Sequence, residues 1–437
     1  MDSNQNTRSL WSDTAALPRF ERLSRDIKTD VLIIGGGMAG LLTAYLLDRA
    51  GVDYVLVEAE RIASGATRNT TAKITSQHGL CYDTLIRRFG ADDARLYYAA
   101  NEAALERYRS LCLDIDCGFI EQDAFVYTLS NRKKLERELA ALAQIKANAS
   151  FAAHVPLPLP VQGAIRFPAQ ASFHPLRFLS AIAQGLTVYE RTPVRELRGM
   201  TAITDFGRIQ AKKIAVCTHF PFLNRHGMYF LKLYQHRSYV LALEHAANVH
   251  GMYVDENECG LSFRNYENLL LLGGGGHRTG KAGGGWAALR AFQKAHYPGA
   301  REAYRWAAQD CMSLDGVPYI GRYSPNTPDL FVAGGFNKWG MTLSMVAAML
   351  LCDFMRGRDN PYAPVFMPER SILRPQLAVN AAEAAVSLLT PSIRRCPHLG
   401  CALKWNAAER SWDCPCHGSR FTETGRLLDN PAARDLP

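Results

Sequence analysis

A chain of 437 residues that is 48% hydrophobic and 21% charged can bury a large core, and its length predicts two or three domains. The net charge of +9 is dispersed with no long Lys/Arg block; this reads as a solvated surface, argues against a nucleic-acid partner and leaves a mildly basic face for an acidic one. No apolar run approaches membrane-spanning length, and the start Met1-Asp-Ser-Asn-Gln lacks a signal-peptide pattern, so a cytoplasmic protein without a transmembrane span is expected.

Residues 1–27 are polar and mixed, with Trp11 as the one large anchor, and read as an arm on the domain surface. Residues 31–34 then predict a short buried strand, 41–50 a helix, and 55–57 a second strand ended by Glu58. Between the first strand and the helix, Gly35, Gly37 and Gly40 fit G-x-G-x-x-G. The first glycine allows the tight turn, the second lets a pyrophosphate approach the backbone, and the third lets helix and strand pack closely. The helix N-terminus offers unpaired N–H groups and a positive dipole end to phosphates. Glu58, eighteen residues past Gly40, can accept hydrogen bonds from a ribose. The unit predicts dinucleotide binding without separating FAD from NAD.

The stretch 61–75 is rich in small and hydroxyl residues and directly follows the ribose-binding acid, which suits a loop laid against a cofactor. Residues 82–111 and 132–146 predict helices, and Pro175 sits where a helix start tolerates it. The strand 213–217 reads as a return to the first sheet, making the nucleotide domain discontinuous. Residues 236–272 are strand-rich and run into Gly273–Gly276; Arg278 then occupies the third glycine position, so no second dinucleotide site is expected. Near residue 335 a strand enters a glycine turn and an apolar helix, 343–355, leaves it. That second helix N-terminus, with Lys338 beside it, is placed to stabilise negative charge on a reduced flavin.

These features together resemble the D-amino-acid oxidase superfamily, which includes glycine oxidase and D-amino-acid dehydrogenase, over roughly residues 8–370. The resemblance implies noncovalent FAD and oxidation of an amine or amino acid. The expected cofactor contacts are Gly35, Gly37, Met38, Ala39, Gly40, Glu58, Ala59, Arg61, Gly65, Ala66, Thr67, Thr71, Ala72, Val194 (a strand backbone against adenine), Gly335, Gly340, Met341 and Thr342. Substrate contacts are less defined: Arg237, Arg264 and Arg278 suit a carboxylate clamp, and His277 and Tyr239 suit an amine.

Of eleven cysteines, seven are scattered and expected to pack as small apolar side chains; four cluster near the C-terminus. Cys396-Pro-His398 and Cys414-Pro-Cys416-His417, fifteen residues apart, give C-x-H and C-x-x-H. Two thiolates and two imidazoles in that order suit a [2Fe–2S] centre of Rieske type, with Cys396, His398, Cys414 and His417 as ligands; a Cys₂His₂ zinc site is the alternative. Resemblance to Rieske proteins further implies a Cys401–Cys416 disulfide, unusual in a reducing cytoplasm. It also implies a role for Ser419 in bonding a cluster sulfur. Phe421 stands where a Tyr donor occurs in respiratory Rieske proteins, which implies a lower potential. The strands that usually precede the first ligand loop are replaced by one Ala-rich helix, so the module looks shortened.

The expected fold class is α/β: a Rossmann-like FAD-binding domain with an interleaved α+β substrate domain across 28–365, a linker helix at 366–390, and a small all-β Rieske module at 391–437. The expected activity is flavin-dependent dehydrogenation of a small amine or amino acid, with electrons leaving through the cluster to a protein or quinone acceptor. An NAD(P)H-linked reductase and a non-enzymatic redox sensor or zinc-stabilised scaffold are the alternatives.

Overall fold

The computed structural model describes residues 7–223 and 226–437; Met1–Asn6, where the signal-peptide reading falls, lie outside the described residues. The described residues form three sheets. The nucleotide sheet has eight strands, and Ile27–Ile34 lies at its centre, parallel to Tyr54–Val57 on one side and to Arg208–Val216 on the other. Arg208–Val216 is the predicted return strand. It in turn pairs in parallel with Leu330–Gly334, which delivers the second glycine turn to the same sheet edge.

Gly40 follows the physics of its motif closely. A Cβ there would sit 1.9 Å from the Gly35 carbonyl oxygen, so only glycine lets the helix Met38–Arg49 pack on its strand. Gly35 itself has φ +113 and packs against the Cys217 backbone. The apolar helix Gly340–Met355 lies against Met38–Arg49 and is buried along most of its length.

A nine-stranded sheet carries the substrate side, with Leu233–Glu244 between Arg301–Ser313 and Leu269–Arg278. Gly273–Gly276 lie within the last of these strands, not in a strand-to-helix turn. The predicted helix at 82–111 is two helices, Tyr82–Phe89 and Ala91–Cys112, because Gly90 takes φ +92 between them. Trp11, the arm's one large anchor, sits fully buried in the short helix Leu10–Thr14, edge-on to His174 and Tyr266.

The linker helix, Pro375–Leu389, precedes a four-stranded antiparallel sheet: Lys404–Asn406, Ser411–Asp413, Arg420–Thr422 and Leu427–Asp429. The ligand loops flank its first two hairpin strands. Among the described residues no helix is long and apolar enough to cross a membrane.

Candidate redox centre

A cavity of about 1930 Å3 opens along the carboxyl edge of the nucleotide sheet. Its wall includes Gly35, Gly37, Met38, Ala39, Glu58, Ala59, Arg61, Gly65, Ala66, Thr67, Thr71, Val194, Gly340 and Met341. The remaining four expected contacts stand behind that wall. Gly40 supports Gly35, and Gly335 makes its turn at φ +70. The Thr342 hydroxyl takes the Thr75 N–H at 2.9 Å and lies 3.0 Å from the Thr75 carbonyl. Ala72 turns its carbonyl away from the cavity, to Arg264.

The loop 64–73 is fixed from behind by three side chains that no local pattern places together. Trp306 Nε1 donates to Asn69 O at 3.0 Å, Trp11 Nε1 to Thr70 O at 2.8 Å, and Arg264 to Ala72 O at 3.2 Å. In front, the Thr67 hydroxyl accepts the Met38 N–H at 3.1 Å, and Glu58 accepts that of Gly36 at 2.6 Å. Burial raises the Glu58 carboxyl above its usual range, and the Glu60 and Gly36 N–H bonds oppose that rise. The glycine cradle, two helix N-termini and a cavity of this size fit a dinucleotide flavin.

Three cavity groups escaped the sequence reading. Lys73 is buried, and its amine reaches the Thr71 hydroxyl at 3.1 Å. Burial pushes that amine down to about 7, helped by the Arg264 cation. Asp310 is half-buried beside the Ser238 hydroxyl at 2.9 Å, and desolvation raises its carboxyl. His78 stacks on Trp339 with ring centres 4.9 Å apart.

The four expected cluster ligands converge. Cys396 and Cys414 are buried with their thiols hydrogen-bonded to each other, and the His398 and His417 rings lie 4.9 Å apart. Burial holds both imidazoles well below their ordinary value, at about 3 and about 4, which keeps them in the neutral form a metal requires. His417 Nδ1 is buried without a hydrogen-bond partner. Two sulfurs on one side and two nitrogens on the other fit a Rieske centre. The Cys401–Cys416 disulfide is not formed: all eleven cysteines are free thiols, and Cys401, Cys414 and Cys416 hold their sulfurs within 4.8 Å of one another. Three thiols in one apolar pocket share hydrogen bonds instead of pairing off.

The shortened module is braced by the flavin domain. Gln309 donates to Gly418 O at 2.8 Å, Arg278 lies 3.4 Å from Pro415 O, and Arg278 also reaches Asn380 of the linker helix at 2.9 Å. Phe220 and Phe230 face the imidazole edge. The expected substrate clamp is thereby corrected. Arg237 forks onto Glu409 of the cluster module, Tyr239 bonds both Glu409 and His277, and Arg278 holds a cluster loop. Arg264 pins Ala72, and Lys338 donates to Glu258 O at 2.7 Å while still facing the cavity. Each makes a hydrogen bond to a partner outside its own motif, while Arg264 Nε and Nη2 and Arg278 Nη2 are buried without one among the described residues.

Comparison with known proteins agrees with both halves. Residues 30–354 match the FAD dependent oxidoreductase family, and residues 389–437 match the Rieske [2Fe-2S] domain. The chain is 34% identical to "Putative Rieske 2Fe-2S iron-sulfur protein YhfW" of Bacillus subtilis, covering 98% of this chain and 96% of that one. It is 24% identical to gamma-glutamylputrescine oxidoreductase of Escherichia coli, over 77% of this chain and 86% of the relative. Its fold is similar to that of glycine oxidase from Geobacillus kaustophilus, with a TM-score of 0.66 and 20% identity over 79% of this chain and 99% of that one.

Proposed function

The chain belongs to the FAD dependent oxidoreductase family, and from that footing we propose that it dehydrogenates an amine or amino acid and passes the electrons out through its Rieske centre. One observation carries the reading: the glycine turn of the flavin site and the cluster ligand His398 line the same cavity. Bound there, FAD supplies a two-electron hydride acceptor and the cluster a one-electron carrier.

The chain's own residues prepare the substrate. An amine arrives protonated at neutral pH, and its C–H bond yields a hydride only once the nitrogen is free. Asp310 offers the arriving ammonium a carboxylate on the cavity wall. Lys73, uncharged above about pH 7, accepts the proton at Nζ. His78 and Trp339 supply a stacked aromatic wall that excludes water. The relatives named for gamma-glutamylputrescine and for glycine support amines and amino acids as the substrate class. A final acceptor outside the chain, protein or quinone, then takes single electrons.

Anaerobic mixing with a panel of amines and amino acids, alongside NADH, tests the reading. Bleaching of the flavin by a panel member supports it. Bleaching by NADH with no response to any amine overturns it.

A further inference from the structure

We propose that the tail of the cluster module is a wall of the FAD site, so that filling the cluster site and filling the flavin site strengthen each other. Residues 426–435, all past the last cluster ligand, line the same cavity as Gly35 and Val194. The tail is tied to the flavin domain at two places. Asn430 donates to the carbonyls of Thr218 at 2.7 Å and Phe220 at 2.8 Å. Thr218 follows Cys217, the backbone against which Gly35 packs. On the adenine side, Arg195, the neighbour of Val194, donates to Ala433 O at 3.0 Å.

The same tail is tied to the cluster loop. Ser419, two residues past the ligand His417, is fully buried, and its Oγ accepts the Ala432 N–H at 2.9 Å. Its backbone carbonyl accepts the N–H of the ligand Cys414 at 2.9 Å. The strand Leu427–Asp429 pairs with Arg420–Thr422, which leaves the second ligand loop directly. One hydrogen-bonded piece therefore runs from the ligand Cys414 through Ser419 and Ala432 to the cavity wall. A cluster that orders the loop orders Ser419, and with it the tail that closes the flavin cavity. Linkage makes the effect mutual: a flavin that holds the tail must retain the cluster by the same factor. The inference rests on the two cofactor sites alone and stands or falls separately from the amine-oxidation reading.

The test uses the full-length holoprotein. Asn430→Ala removes both bonds to the flavin domain and is expected to raise the FAD dissociation constant about tenfold, with the iron content unchanged. In the native chain, iron loss to a chelator under reducing conditions is expected to slow at least about fivefold when FAD is saturating. Should Asn430→Ala fail to fold, the chelation measurement decides alone. FAD affinity within about twofold of native in a folded Asn430→Ala, or iron loss indifferent to FAD, overturns the proposal.

Discussion

Arg237, in the middle of the large sheet, is paired with Glu409 of the Rieske module: Nε to Oε1 is 2.9 Å, and the second nitrogen reaches the second oxygen. Glu409 is shared with Arg420, which also holds Asp413 and Asp429, so the two redox domains meet at a buried network of alternating charge. Burial alone would raise the Glu409 carboxyl, but Arg237 and Arg420 hold it down at about 2.

That network sets the acid limit of module docking. A free glutamate titrates near about 4.3, so the stabilisation from Glu409 is fully present above that pH and is lost as pH falls toward about 2. Glu409→Gln leaves two buried guanidinium groups facing a neutral amide and is expected to cost about 3–5 kcal/mol. Urea unfolding followed by cluster absorbance measures it, and a loss below about 1 kcal/mol would show the network to be solvated.

Lys73 gives a slope of the same sign at higher pH. Its amine is neutral above about 7, so the rate of flavin reduction by substrate rises with pH through that value and then levels. Lys73→Met is expected to lower this rate by about 10²–10⁴ and to abolish the slope, and Lys73→Arg does not restore it. Stability follows the same sign: the unfolded lysine binds a proton up to about 10.4, so the native chain gains stability with pH between the two values. Stopped-flow absorbance across pH reads the first effect and thermal unfolding the second.

Gly40→Val places a side chain where a Cβ already meets the Gly35 oxygen at 1.9 Å. The variant is expected to lose several kcal/mol of stability, about 4 or more, and to purify without the yellow chromophore. An absorbance spectrum together with a melting curve is sufficient.

Metal analysis distinguishes the two chemistries open to Cys396, His398, Cys414 and His417. The expected content is about two irons with acid-labile sulfide per chain and no stoichiometric zinc. His417→Ala is expected to lose the cluster while the four-stranded sheet remains, because His417 takes no part in its pairing. Phe421 is fully buried beside the ligand cysteines, and Phe421→Tyr is expected to raise the cluster potential by adding a donor.

Local chemistry was readable before the fold was. The glycine turn and the C-x-H and C-x-x-H loops are patterns of a few dozen residues or fewer, and the return strand announced itself as an apolar run, although its partner Ile27–Ile34 lies far back in the chain. What depends on distant partners was not readable. Arg237 suited a substrate carboxylate by residue type, yet its partner lies 172 residues away in the cluster module. Trp11 read as an anchor, but nothing local announces the Thr70 carbonyl to which its indole donates. Lys73 carried no motif of its own; its neutrality arises from burial and from Arg264, a neighbour from another strand. The module looked shortened before its first ligand loop, and nothing local announced that Gln309 and Arg278 of the flavin domain would brace its cluster loop.

If both centres exchange electrons within one polypeptide, rapid-freeze EPR after anaerobic mixing with a reducing amine will show the reduced-cluster signal growing as the flavin absorbance falls, at a rate independent of protein concentration. Full flavin bleaching with the cluster still oxidised, or a rate that scales with protein concentration, would rule out electron exchange inside one chain.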